Sequence, residues 1–223
     1  MSAIPKSPAL VEALQGNPWQ VSMMEAPCYS PSACCCASLN PCCTIYSQRK
    51  DILSITNEQY YLFGGACVGC AKCPCGCCSC CGKPVSESMV PCCLGFESCC
   101  CAPTAVQINR FMIQTRFGRE NTKIDNCLIS FANCLQASAC ICQCVACIAS
   151  IATDQKCDDL DKCADCMMYL ADCVQCAVCC CMTAQQKIEV DYVKENGYTP
   201  FAPKIMDLMA PTQKQMITGM HPY

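Results

Sequence analysis

The sequence predicts a mainly α-helical protein: small helices and irregular cysteine-rich loops held by metal or disulfides, with extended N- and C-terminal arms. Three observations lead there. Cysteine makes up 33 of 223 residues, about 15% and well past the 8–10% that marks a cysteine-dominated chain. These cysteines fall into five clusters, and the stretches between them carry apolar residues at helical spacing. Setting the cysteines aside lowers the 53% hydrophobic share to about 38% of the chain, so sulfur is expected to substitute for part of an apolar core.

Along the chain, residues 1–27 contain no cysteine and read as an N-terminal arm, followed by a cysteine-rich domain over 28–184 and a C-terminal arm over 185–223. The first cluster is Cys28, Cys34, Cys35, Cys36, Cys42 and Cys43. Within Ile45–Phe63, Ile45, Ile52, Leu53 and Ile55 share one face of a helix. An insertion over 64–82 holds the second cluster, Cys67–Cys81, where glycines and prolines exclude regular structure and leave loops wrapped round sulfur. Cys92, Cys93, Cys99, Cys100 and Cys101 form the third cluster, and the charged, cysteine-free stretch Ala102–Asn126 is the next helix.

Asn126–Thr153 has no charged residue, and its 28 residues are enough to span a bilayer. Its Asn, Gln, Ser and six cysteines give it the character of a buried helix instead. For Cys127, Cys134, Cys140, Cys142, Cys144 and Cys147 two roles stay open, small hydrophobes filling a core or metal ligands. In the fifth cluster, Cys157–Cys181, aspartates interleave, and Cys166, Cys173 and Cys176 share a helix face with Asp165 and Asp172 beside it. The aspartates read as a solvated face. From Gln185 to Tyr223, Pro, Met and Tyr dominate, and Gly197, Pro200, Pro203, Pro211 and Pro222 break any long helix. Met206, Met209, Met216 and Met220 there, like Met167 and Met168, read as interface packing.

Function classes narrow by elimination. Fifteen basic against eighteen acidic residues give a net charge of −3, which excludes a nucleic-acid footprint. The single histidine, His221, removes the commonest general base, and no βαβ pattern frames a redox-active CxxC pair. Walker A, GxGxxG and HExxH are absent. No enzyme is expected. The opening MSAIPKSPALVEALQGNPWQ lacks the apolar core of a signal peptide, which points to a reducing, cytoplasmic setting where dense cysteine binds metal more often than it bridges. Cysteines recur at CxxC spacing, and two thiolates three apart can chelate one ion from a single turn. The candidate ligands are Cys67, Cys70, Cys73, Cys75, Cys78 and Cys81, then Cys163, Cys166, Cys173 and Cys176. The expected cofactor is zinc, several ions held almost wholly by thiolates.

A resemblance accompanies these readings. Trp19, a short apolar run, Cys28, then CCASLNPCC at 35–43 and RKDIL at 49–53 are similar to the opening of the PLAC8-like cysteine-rich family. Its CCxxxxCPC hallmark is permuted here, with Pro41 before Cys42 and Cys43. Downstream, Arg110, Arg116, Phe117, Gly118, Asp125, Cys127, Cys134, Cys140, Cys142 and Gln143 resemble the family's second half, and Cys144 and Val145 stand where Arg-Glu is usual. The resemblance covers about residues 19–143 and implies a mostly non-enzymatic protein linked to metal handling, cell-size control or membrane association. The expectation is therefore a structural or scaffold subunit of a larger assembly, cytoskeletal or ciliary, binding protein partners through its arms. The alternative is a membrane-associated metal-handling protein.

Overall fold

A computed structural model describes residues 18–64, 84–153 and 158–198. Seven helices make up the described part, which is mainly helical and has no strand, only a single bridge between Pro18 and Glu120. We label them α1 (Ala26–Tyr29), α2 (Pro31–Leu39), α3 (Pro41–Thr56), α4 (Val90–Cys100), α5 (Ala102–Arg116), α6 (Lys123–Thr153) and α7 (Asp158–Asn196).

Proline sets the starts. Pro27, Pro31, Pro41, Pro91 and Pro103 each occupy the first turn of a helix, where the missing N–H has no intrahelical acceptor to lose and φ is already helical. Asn40 adds a side-chain cap by accepting from the Cys43 N–H. Stops are equally local. Asn57 ends α3 in the left-handed region, at φ 55°. Gly118, at φ 71°, turns the chain between α5 and α6. The first and third cysteine clusters are helical, and the helix expected over 102–126 divides in two.

α7 is the spine, touching α1, α2, α3, α5 and α6. Two apolar clusters hold the base. One joins Met23, Ile45, Val106, Ile129, Val178 and Met182; the other joins Trp19, Ile52, Ile108, Met112, Ile113 and Val190. Trp19, Met23 and Ala26 are buried in what was read as an arm, and α7 runs unbroken past Ala184, burying Gln185, Gln186, Glu189, Val190 and Val193. The rest of both arms lies outside the described residues.

Sulfur is not the core. Of the 24 cysteines among the described residues none is bridged, and Cys180 alone is buried. Among the described residues, then, neither disulfides nor packed thiols fill the interior. Arginine does part of that work. The chain's four arginines, Arg49, Arg110, Arg116 and Arg119, pair with Glu97, Asp125, Glu58 and Glu189, all four carboxylates being essentially unexposed. Arg49 ties α3 to α4, Arg110 ties α5 to α6, Arg116 ties α5 to the turn after α3, and Arg119 ties the α5–α6 turn to α7; burial makes each pair geometry-critical.

Candidate functional site: an exposed thiol and apolar helix face

α6 and α7 form a long antiparallel hairpin. On α6, Ala132, Ala139 and Ala146 recur every seven residues and are buried; on α7, Ala164, Ala171 and Val178 do the same. Side-chain bonds fix the register: Gln143 Nε2 donates to Asp165 Oδ1 at 3.1 Å, and Gln136 Nε2 to Asp172 Oδ1 at 3.4 Å. That register sets Ala139 near Ala171 and Ala146 near Ala164. Small residues at the seam let the two backbones approach closely, and the seven-residue period keeps the seam facing its partner along the hairpin.

Among the described residues, no element packs on the far side of α6. Phe131, Ile141, Val145, Ile148 and Ile151 are exposed, Ile141 and Ile148 by 63% and 66%. Cys127, Cys134, Cys140, Cys144 and Cys147 are exposed among them. The expected buried character of 126–153 is therefore corrected: only the alanine seam and Ile129 are inside, and the cysteines fill no core. On the α7 side of the tip, Asp159, Lys162 and Asp165 are exposed. The hairpin thus has one uncharged, thiol-bearing face and one acidic face.

A groove of about 240 Å³ lies between α2, α3, α5 and α7, with walls that include Ile45, Pro103, Val106, Cys176, Cys179 and Cys180. Two of its thiols, Cys179 and Cys180, are raised by burial. Burial, with neighbouring Cys176, Cys34 and Cys179, pushes the Cys180 thiol up to about 12. Burial also raises Cys34, Cys179 and Cys181. Thiols held protonated at neutral pH lack the thiolate that attacks or ligates.

Of the expected metal ligands, Cys67, Cys70, Cys73, Cys75, Cys78 and Cys81 lie outside the described residues. Cys163, Cys166, Cys173 and Cys176 are exposed on the single helix α7. Among the described residues, no group of three or more Cys, His, Asp or Glu is placed to hold one ion. These four do not make a tetrahedral site in one chain.

The residues that sequence reasoning missed are the buried polar ones. Glu97 Oε1 accepts from Arg49 at 2.8 Å, while its Oε2 accepts from Tyr60 Oη at 2.8 Å and the Phe63 N–H at 3.1 Å. Arg110 donates to Gln185 and Asp125 and lies 4.5 Å over the Trp19 ring. Burial lowers the Arg110 guanidinium to about 10. The residues of the downstream resemblance, Arg110, Arg116, Gly118 and Asp125, therefore brace the fold. The signal available beforehand was that three of the four arginines crowd into residues 110–119. No family model, no curated protein and no solved structure matches this chain.

Proposed function

We propose that the protein is a non-catalytic structural subunit of a larger protein assembly, docking through the outer face of α6. One observation carries this reading: a helix of 31 residues keeps an uncharged, apolar face bare along its length, while the same helix packs tightly on its other side. A contiguous exposed apolar face of this kind marks an interaction surface. The Cys179 and Cys180 thiols of the groove, both raised by burial, support a non-catalytic role for that groove. Arms running beyond the described residues add further contacts, and a reducing compartment keeps the thiols free. Zinc enters this proposal only through the CxxC spacing of Cys67, Cys70, Cys78 and Cys81.

Membrane association is the second reading, because α6 and α7 are both long and apolar enough to cross a bilayer. The register opposes spanning. Asp159, Asp161, Lys162 and Asp165 sit on α7 beside the tip half of α6, so hydrocarbon around that half would take in exposed charges. Alkaline carbonate extraction of cell membranes separates the two. Recovery in the supernatant, within a complex larger than one chain, is expected; retention in the pellet would replace the assembly reading with the membrane one.

A further inference from the structure

α6 carries a second heptad stripe on its bare side. Its inner stripe steps through Asp125, Ile129, Ala132, Gln136, Ala139, Gln143, Ala146 and Ser150, by fours and threes, and is buried or half-buried. Two residues further on, the same alternation gives Cys127, Phe131, Cys134 and Ser138, continuing into Ile141, Val145, Ile148 and Ala152, and every one of these is exposed. Ile124 extends the stripe backward, so among the large exposed apolar side chains of α6 only Ile151 falls off it.

The period is the informative part. An unsupported α-helix drifts about 20° per heptad against a 3.5-residue repeat, so a strict four-three stripe stays straight only where helices wind round one another. The inner seam already imposes that winding through α7. A stripe of the same period on the opposite side keeps a constant facing direction over about 39 Å of helix, which suits a further helix and which a lipid surface does not require.

We infer that this stripe docks on the same stripe of a second copy of the chain, antiparallel, so that two hairpins stack back to back through α6. The inference rests on the assembly reading above and names its partner. Charge selects the occupant. No Lys, Arg, Asp or Glu lies between Asn126 and Thr153, so α6 has no flanking charges with which to choose a different helix, whereas a second α6 offers the same neutral surface. Joining through α6 leaves the aspartates of α7 on the two outer sides; joining through α7 would set them against each other. The antiparallel arrangement also places the two five-helix bases at opposite ends. Its two-fold axis pairs Cys127 with Ala152, Phe131 with Ile148, Cys134 with Val145 and Ser138 with Ile141, large against small in the two central layers.

The test is sedimentation of the full chain in reductant, compared with the double variant Ile141→Glu, Val145→Glu and with a control, Tyr169→Glu, Leu170→Glu, on α7. All four side chains are exposed in the single chain, so circular dichroism should show both variants folded. The wild type and the control should sediment at twice 24.2 kDa, and the seam variant as a monomer, its dissociation constant raised at least about a hundredfold. In the dimer, Cys127 and Cys134 should be shielded from maleimide while Cys163 and Cys166 react; the seam variant should expose all four. A monomeric wild type, or a dimer broken by the control and not by the seam variant, overturns the inference. If that monomeric wild type still migrates in a larger complex in native extract, the second copy falls and the assembly reading stands. Migration as a lone monomer, or flotation with phosphatidylcholine vesicles that the seam variant abolishes, overturns both.

Discussion

Glu97→Gln is the sharpest test of what holds this fold. The Glu97 side chain is unexposed, and Arg49 beside it is 1% exposed. The amide keeps the shape of the carboxylate and removes its charge, which strands the Arg49 guanidinium in the interior. Removing one partner of a buried ion pair costs about 3–5 kcal/mol. Glu97 also accepts from Tyr60 and from the Phe63 N–H, and a charge-assisted bond is worth about 1.5–3 kcal/mol against about 1 for a neutral one, so the upper half of that range is expected. For a domain of this size each kcal/mol lowers the melting temperature by about 2–4 °C, giving a fall of about 8–20 °C. Cys100, three residues along and exposed, provides the contrast: Cys100→Ser should stay within about 0.5 kcal/mol. Urea unfolding followed by circular dichroism measures both. If Cys100→Ser costs more than Glu97→Gln, sulfur and not the ion pairs carries the fold, and the reasoning fails.

Three further outcomes follow from the same structure. Burial first, then the Glu97 charge, raises the Tyr60 hydroxyl well above its usual 10, and burial pushes Tyr198 up to about 12; stability from both is complete below pH 10 and is lost as pH rises through the folded values. With Tyr61, raised by burial and by Glu58, tyrosinate absorbance should then show three of the eight tyrosines ionising only as helicity is lost, and independent ionisation near pH 10 would contradict this. Ala139→Leu forces a large side chain into the alanine seam and should cost about 1–3 kcal/mol in urea unfolding, whereas Ser138→Leu on the outer stripe should leave monomer stability unchanged and tighten self-association. Gly64 holds φ +59°, and an added Cβ would meet Ile108 Cγ2 at 2.7 Å; Gly64→Ala should therefore destabilise by about 1–3 kcal/mol, and a neutral result would refute the tight approach of that turn to α5.

The helical class and the position of α3 were readable because Ile45 and Ile52 recur at helical spacing and both are buried. The short helices α2 and α4 were not, because adjacent cysteines carry no periodic signal: CCC at 34–36 puts thiols on three sides of a turn at once. Pro31, Pro41, Pro91 and Pro103 look like breakers in a composition count, yet each starts a helix. The buried ion pairs join residues such as Arg49 and Glu97, 48 positions apart, and no local pattern announces such a pairing. On the candidate site, the uncharged run 126–153 was plain, but its division into a buried alanine seam and a bare apolar stripe depends on where α7 lies. The expected ligands Cys163, Cys166, Cys173 and Cys176 share one helix as their spacing requires, and spacing along one helix brings in no ligand from a second element.

The distribution of thiols bears on why this chain is so rich in cysteine. A residue that fills cores would be found inside, as free cysteine usually is, and here alanine, isoleucine and paired arginine hold those places. Cysteine instead covers both outer surfaces of the hairpin, the middle of α2, the start of α3 and both ends of α4. A surface of thiols is small, weakly polar and uncharged, so it loses little hydration on being covered, and it lets helices approach almost as closely as alanine does. Docking on a second copy would use that property along the stripe, which is why cysteine-to-serine replacement across α6, at Cys127 and Cys134 together, should weaken self-association while leaving the melting temperature of the single chain unchanged. Serine adds a hydroxyl that must be desolvated at the seam, a cost of about 1–3 kcal/mol for each unpaired group, and the monomer, where both positions face water, does not bear it.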